Sequence, residues 1–556
     1  MSQAWRIVAI EALTRLSAIN GPRSKSRTFD KPSSPSSAGQ PRLSVAVSGV
    51  PRAGQFKPPT DSRLTDHISI GVFLASRFTS WQFSRPVQTP AGSRRRCGEV
   101  TFHVACPRRN SRRLVAAAPN QRRWVQVLEG SRVEDPARVV GVDFTDGVPP
   151  RAVVQGIDSA FRFNDELLSK HVLFLGSIGS GKTNAMQALF WSLRENSRPD
   201  DVFVIFDTKG DFLEGFYQDG DAVITNDRDL ADGCVTWNIF DDLHGVGKER
   251  IDDAFEIAST IFSETLAQAS NNYFFAAGAR DIFAAVLEAM ARGDGSRPSN
   301  QELRQALEGS PQQLLELLEP HPDLASSRAY LTGEVIARST LAYLQQAVRT
   351  AFSGAFQDPG SFSVRGYVRE KGGRALFVEY DIAKGAVLLP IYRVLLDLAI
   401  KESLGRSRAP GSVFFLLDEF ALLPELRHIS DGINFGRSLG LKFIVGSQNV
   451  SQVYHSYGEN IGTSILSGFG TVFAFRLMDA PSRSFVSDRF GHNRKRITIE
   501  QSVRAEGVHD SVHEGKVIED WDLSSLTIGR TIASKPDGPP FFFAFGEWRQ
   551  GEHHAR

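Results

Sequence analysis

The sequence predicts an α/β fold: a mainly parallel sheet, an all-α domain inserted into it, and a largely irregular, basic N-terminal region. Three observations predict it. Apolar runs such as DVFVIFD at 201–207 and VFFLLDEF at 413–420 lack the alternation of a half-exposed strand, as expected of parallel strands covered on both faces. Between about 245 and 355 the apolar residues recur at helical spacing instead. A glycine-rich turn at 176–183 then separates a strand-like run from a helix-like one.

Residues 1–124 read as a low-order region. They are rich in Ser, Pro and Gly around PSSPSSAGQP, then in arginine pairs at 108–109, 112–113 and 122–123. Residues 1–150 carry 23 Lys and Arg against 10 Asp and Glu, and the remainder 41 against 53, inside a net charge of only +1. A basic, acid-poor arm suits DNA or anionic lipid as well as it suits a solvated tail. The acidic remainder excludes wholesale electrostatic coating of nucleic acid, so any DNA contact there must be local, in a groove or channel.

Three cysteines are too few for a disulfide framework in 556 residues, which points to a reducing, cytoplasmic setting. Cys97, His103 and Cys106 lie close together, but no second ligand pair follows at zinc-site spacing. No stretch reaches the roughly 18 apolar residues of a spanning helix, Ile68 to Ala75 being the longest early candidate, and no signal-peptide core is visible. The expectation is a cytoplasmic protein with no transmembrane segment of its own, peripheral to the inner membrane only through partners.

From Trp124 the segments WVQVLEG and ARVVGVDF look like short strands, and residues 125–244 read as the first part of the nucleotide-binding domain. A strand at His171 to Leu175 leads into the turn, the helix NAMQALFWSLREN and a buried strand at 201–207. Residues 245–358 read as the inserted all-α domain: Ile251, Ala254, Phe255, Ala258 and Phe262 share one face, as do Ile282, Val286, Leu287 and Met290, and Leu341, Leu344 and Val348. Ser299 with Glu302 marks a helix start as a capping box. The sheet resumes over 359–548 with strands at 375–382, 413–420, 441–448 and 471–477, and 549–556 is a tail.

The turn GSIGSGKT satisfies the pattern G-x4-G-K-[ST]. Gly176, Ser177, Ile178, Gly179, Ser180 and Gly181 would turn successive N–H groups toward phosphate oxygens, and Lys182, Thr183 and Asn184 begin the helix whose positive end completes the cradle. Lys182 is expected to reach the β and γ phosphates of ATP and Thr183 to ligate Mg²⁺. In SVFFLLDEF, Asp418 ends an apolar strand where it can hold Mg²⁺, and Glu419 can polarise the attacking water. Gln448 ends the next buried strand, where an uncharged amide can report the γ-phosphate or simply cap a helix. Asp207 and Lys209 follow the second strand, near where nucleotide should lie.

The order of these motifs carries a family resemblance. P-loop, DTKGDF at 207–212, helical insertion, LLDEFALLPEL at 416–426 and FGRSLGLKFIVGSQNVSQVYHSYGEN at 435–460 together resemble the TraG/TraD-class coupling proteins of conjugative type IV secretion, in the HerA/FtsK superclass. The resemblance covers roughly 150–545 and implies a RecA-like P-loop domain carrying an all-α insertion, working as a homo-hexameric, ATP-driven DNA pump. It implies Lys182 and Thr183 as phosphate and Mg²⁺ residues, Asp418 and Glu419 as the Walker B pair, Gln448 as sensor and Arg437 as an arginine finger acting on a neighbour. DNA in a central channel, a relaxase and secretion components are the implied partners. Coupling proteins usually begin with membrane-spanning helices, and none is legible here. Three alternatives stay open: a soluble HerA/FtsK-like DNA motor of a mobile element or defence system, a protein-secretion ATPase, and a non-translocating nucleotide switch.

Overall fold

The structure is a computed structural model that describes residues 121–549, apart from 137–138, 140–149, 227–232, 294, 296, 383–384, 407, 424, 502–507 and 537. The expected strand ARVVGVDF apart from Val139, the Cys97, His103 and Cys106 cluster and nearly all of the basic arm lie outside these residues.

Among the described residues the strands follow in chain order: β1 (Gln121–Glu129), β2 (Ala152–Gln155), β3 (Ala160–Phe163), β4 (Val172–Leu175), β5 (Asp201–Asp207), β6 (Ala222–Ile224), β7 (Arg374–Glu379), β8 (Ser412–Leu417), β9 (Leu441–Ser447), β10 (Thr471–Ala474), β11 (His492–Gln501), β12 (Val508–Lys516), β13 (Arg530–Ser534) and β14 (Phe541–Ala544). Nine of them form the central sheet in the order β14-β13-β10-β4-β9-β8-β5-β7-β6. From β10 to β6 every pairing is parallel, and β13 and β14 add an antiparallel edge.

The continuous apolar runs have the cause the sequence suggests. All seven residues of β5 are buried, with Val202, Val204 and Phe206 in the core on one face of the sheet and Phe203 and Ile205 in the core on the other. The second face is covered by the helix Lys182–Glu195 through Ala185, Met186, Leu189, Phe190 and Leu193.

Between β6 and β7 the described residues are mainly helical, including Lys248–Ile261, Tyr273–Ala291 and Glu334–Ala351, which pack through Ala254, Ile282, Val286 and Leu344. Ser299 and Glu302 form a reciprocal capping box at the helix Asn300–Leu307. Phe255 departs from its expected face. It is 43% exposed, and the Arg280 guanidinium lies 4.4 Å from its ring centroid, a cation–π contact in place of core packing.

β1 differs from expectation in start and partners. It begins at Gln121, three residues before the Trp124 boundary, and pairs with β11 and β12 in a separate three-stranded antiparallel sheet rather than joining the central one. The nine-residue strand takes its length from a partner far along the chain, Gln121 pairing with Gln501, and nothing local signals that.

Candidate nucleotide site

β4, β9, β8 and β5 lie side by side and point the same way, so the loops after them meet at one edge of the sheet. Gly176 N donates to Ser447 O at 3.1 Å, and Ser177 N to Arg476 O at 2.9 Å, which pins the glycine-rich loop on both flanks. A Cβ at Gly176 would lie 2.5 Å from Phe475 Cβ, so only glycine fits there. Gly181, at φ +106°, turns the chain into the helix Lys182–Glu195, whose positive end closes the loop.

Lys182 Nζ donates to Gly176 O at 2.5 Å and to Ser177 O at 3.4 Å. Burial lowers its pKa, and the Glu419 and Asp418 carboxylates oppose that shift. The Thr183 hydroxyl donates to Asp418 Oδ1 at 3.4 Å, bringing together two residues 235 positions apart. Asp418 is buried, and burial raises its pKa against the opposing Lys209 charge and the Thr208 hydroxyl. Burial also raises the Glu419 pKa, while the Gln448 amide and the Lys182 ammonium favour its charged form.

The chemistry of this donor set fits a nucleotide polyphosphate with a hard divalent cation. Backbone N–H groups and an ammonium serve the phosphates, and a hydroxyl beside a carboxylate serves Mg²⁺. Ser180 Oγ and Glu419 Oε1 are buried without a hydrogen-bond partner among the described residues. These are donor and acceptor positions that a phosphate chain and its attacking water would satisfy. An open cleft of about 550 Å³ lies over the loop tip, with Ser177, Ile178, Gln448 and Arg476 in its wall.

The structure therefore brings Lys182, Thr183, Asp418, Glu419 and Gln448 to one place. Two further expected residues lie apart from that cluster. Asn184 lies in the first turn of the helix, but its side-chain amide is engaged elsewhere, donating to Gly546 O at 2.9 Å and accepting from Trp548 N at 2.8 Å. Arg437 lies on the turn Gly436–Leu439 before β9, exposed and 3.5 Å from Glu166. Gln448 follows the other end of that strand, so the seven residues of β9, about 23 Å of extended chain, separate Arg437 from its own chain's nucleotide edge.

Sequence reasoning missed Thr208, whose hydroxyl donates to Asp418 Oδ2 at 3.1 Å. Its place directly after a strand ending at the nucleotide edge was the available signal. Asp207 has a local role. Its two oxygens accept from the N–H groups of Lys209, Gly210, Phe212 and Leu213, capping the helix Asp211–Phe216. That cap fixes the turn from which Thr208 and Lys209 reach Asp418.

A family profile described as the type IV secretion-system coupling protein DNA-binding domain matches residues 160–518, well over half of the chain. The chain belongs to this family. Coupling protein TraD of Escherichia coli (strain K12) is 25% identical over 445 residues, covering 74% of this chain. The chain spans 57% of the length of that curated relative.

Among solved structures, the conjugative coupling protein TrwBΔN70 in its unbound form superimposes with a TM-score of 0.62 at 18% identity, over 78% of this chain and 96% of that one. TrwB in complex with ADP and Mg²⁺ gives 0.61 at 18%, over 78% and 97%. At that identity the likeness establishes the RecA-like P-loop fold. Among the described residues, no helix of this coupling-family chain is long and apolar enough to cross a membrane.

Proposed function

We propose that the chain is an ATP-driven DNA translocase, the motor of a conjugative coupling protein, working as a homo-hexameric ring. The observation that carries this reading is the meeting of Thr183 with Asp418 at 3.4 Å beside Glu419 and Lys182, in a chain of the coupling-protein family. The TrwB structures in complex with ADP and Mg²⁺ and with a non-hydrolysable ATP analogue support ATP and Mg²⁺ as ligands of the same fold.

In this reading the loop 176–181 and the Lys182 ammonium hold the phosphates, and Thr183 and Asp418 hold Mg²⁺. When bound, Mg²⁺ neutralises charge on the phosphate oxygens. Glu419 orients the attacking water and takes its proton, a role suited to a carboxyl whose pKa burial raises. Gln448 bears on Glu419 and so links the water to the strand end that senses the γ-phosphate. Arg437 serves a neighbour's site, since β9 keeps it from its own. DNA runs through the central channel, and a relaxase and secretion components deliver and receive it.

The test is Mg²⁺-dependent ATP hydrolysis measured with and without DNA. Stimulation by DNA supports the motor. Hydrolysis indifferent to DNA favours a protein-secretion ATPase, and no hydrolysis favours a nucleotide switch.

A further inference from the structure

We propose that Arg476 contacts the terminal phosphate of the nucleotide, and that it comes from the same chain as the P-loop. The proposal rests on the nucleotide-site reading above and adds to that site a residue that no motif marks.

Backbone pairing sets its position. β10 runs parallel to β4 with Ala474 opposite Leu175, so Phe475 and Arg476 continue alongside Gly176 and Ser177. Phe475 N donates to Leu175 O at 2.8 Å, Ser177 N to Arg476 O at 2.9 Å, and Met478 N to Ser177 Oγ at 3.3 Å. Leu477 N is held by Leu523 O at 3.1 Å. Residue 476 is thus fastened to the phosphate loop on one side and to the Leu523 segment on the other. Phe475 and Leu477 are fully buried, whereas Arg476 is half-buried and its side chain lines the cleft over the loop tip.

The guanidinium there has no ion pair or hydrogen bond from any described residue. Elsewhere in the molecule the more deeply buried Arg151, Arg194 and Arg365 each hold a carboxylate, of Asp201, Asp221 and Asp253. Asp479 lies in the same cleft, but its Oδ2 accepts from Ser482 N at 3.0 Å as a helix cap. A partly desolvated cation with a fixed backbone and no carboxylate paired to it is a preformed anion site.

The cleft's other walls identify the anion. The inner phosphates belong at the helix N-terminus from Gly181 to Thr183, so the outermost phosphate lies toward Ser177 and Ile178, the loop residues that border the cleft with Gln448. Arg476 and Gln448 then bracket the terminal phosphate from the strands on either side of β4, since the order there is β10-β4-β9. An arginine matches it because the charge is spread over three oxygens and the guanidinium presents paired donors.

The experiment measures the affinities of Mg·ADP and Mg·ADPNP, and steady-state phosphate release, for the full chain and its Arg476→Met and Arg476→Lys variants, with thermal melts to confirm folding. The expected result is that Arg476→Met weakens Mg·ADPNP by roughly tenfold or more while Mg·ADP changes less than about twofold, with Arg476→Lys between. Phosphate release should fall by about 10²-fold or more. Wild-type discrimination between the two nucleotides in both variants would overturn the proposal, as would equal weakening of both. Should neither variant fold, protection of Arg476 from phenylglyoxal by ADPNP and not by ADP in the wild-type chain supports the contact, and equal labelling overturns it. If the wild-type chain binds ADPNP through Arg476 yet hydrolyses no ATP, this contact stands and the motor reading fails.

Discussion

Thr208 donates to Asp418 Oδ2 at 3.1 Å, which leaves Oδ1 as the oxygen that faces the Thr183 hydroxyl at 3.4 Å. One side chain from the turn after β5 therefore decides which carboxylate oxygen is offered to the cation site. Thr208→Val should raise the Mg²⁺ concentration for half-maximal ATP hydrolysis by roughly tenfold, and Thr208→Ser should restore it. A Mg²⁺ titration of phosphate release checks this, and an unchanged half-saturation in the valine variant would remove Thr208 from the metal site.

Lys182→Ala should abolish turnover, because the ammonium is the only P-loop side chain that carries charge to the phosphates. Glu419→Gln should keep nucleotide affinity and lose hydrolysis by about 10² to 10⁴, since an amide cannot take the proton of the attacking water. Nucleotide binding and phosphate release on the same preparation separate the two effects. Full hydrolysis by the glutamine variant would rule out Glu419 as the base.

Arg437 is held at the far end of β9 from Gln448, so its action on nucleotide requires a second subunit. Subunits carrying Arg437→Ala with Lys182 intact, mixed with Lys182→Ala subunits with Arg437 intact, should regain DNA-stimulated ATPase that neither shows alone. A finger in trans is worth about 10³ to 10⁵ in rate. An Arg437→Ala homomer with undiminished activity would end the assignment.

Arg365 grips Asp253 with both amino groups, at 3.0 and 2.8 Å, and both side chains are buried. Burial opposes the Asp253 charge, yet the Arg365 contact lowers its pKa below the ordinary value. Lys401 Nζ also reaches Asp253 Oδ1, at 2.9 Å, and His244 N donates to Oδ2 at 3.0 Å, so Arg365→Ala leaves the carboxylate partnered and should cost about 1 to 3 kcal/mol in a urea titration. A loss under about 0.5 kcal/mol would show that Lys401 and solvent together replace the guanidinium.

His171 is buried as the neutral tautomer. Its Nδ1 accepts from Phe443 N at 3.1 Å, and its other ring nitrogen donates to Ile433 O at 2.9 Å. Burial pushes its pKa down to about 4 from 6.5. Between those values the unfolded chain binds the proton that the folded chain refuses, so this histidine costs stability as pH falls from 6.5 toward 4, by about 1.4 kcal/mol per unit. Denaturation midpoints over that range should slope less steeply for His171→Asn than for the wild-type chain. Parallel slopes would refute the shift.

The sequence by itself determined whatever depends on a short stretch of chain. The glycines of 176–181 are required by local φ and close approach, β5 and β8 read as covered strands because their side chains are almost all apolar, and Ser299 with Glu302 caps its helix within four residues. Asp418 and Glu419 were legible for the same reason, at the end of such a strand.

What only the tertiary structure decided depends on which strands become neighbours. β1 takes β11 as its partner, β2 pairs with β3 apart from the main sheet, and β13 and β14 join its edge, all through hydrogen bonds between segments without distinctive local patterns. The same adjacency sets Thr208 against Asp418 and Arg476 beside the phosphate loop, and holds Arg437 a strand's length from its own chain's nucleotide edge. The reason is physical: backbone and packing preferences act between residues a few positions apart, whereas the charges of an active site are assembled by sheet register across hundreds of residues.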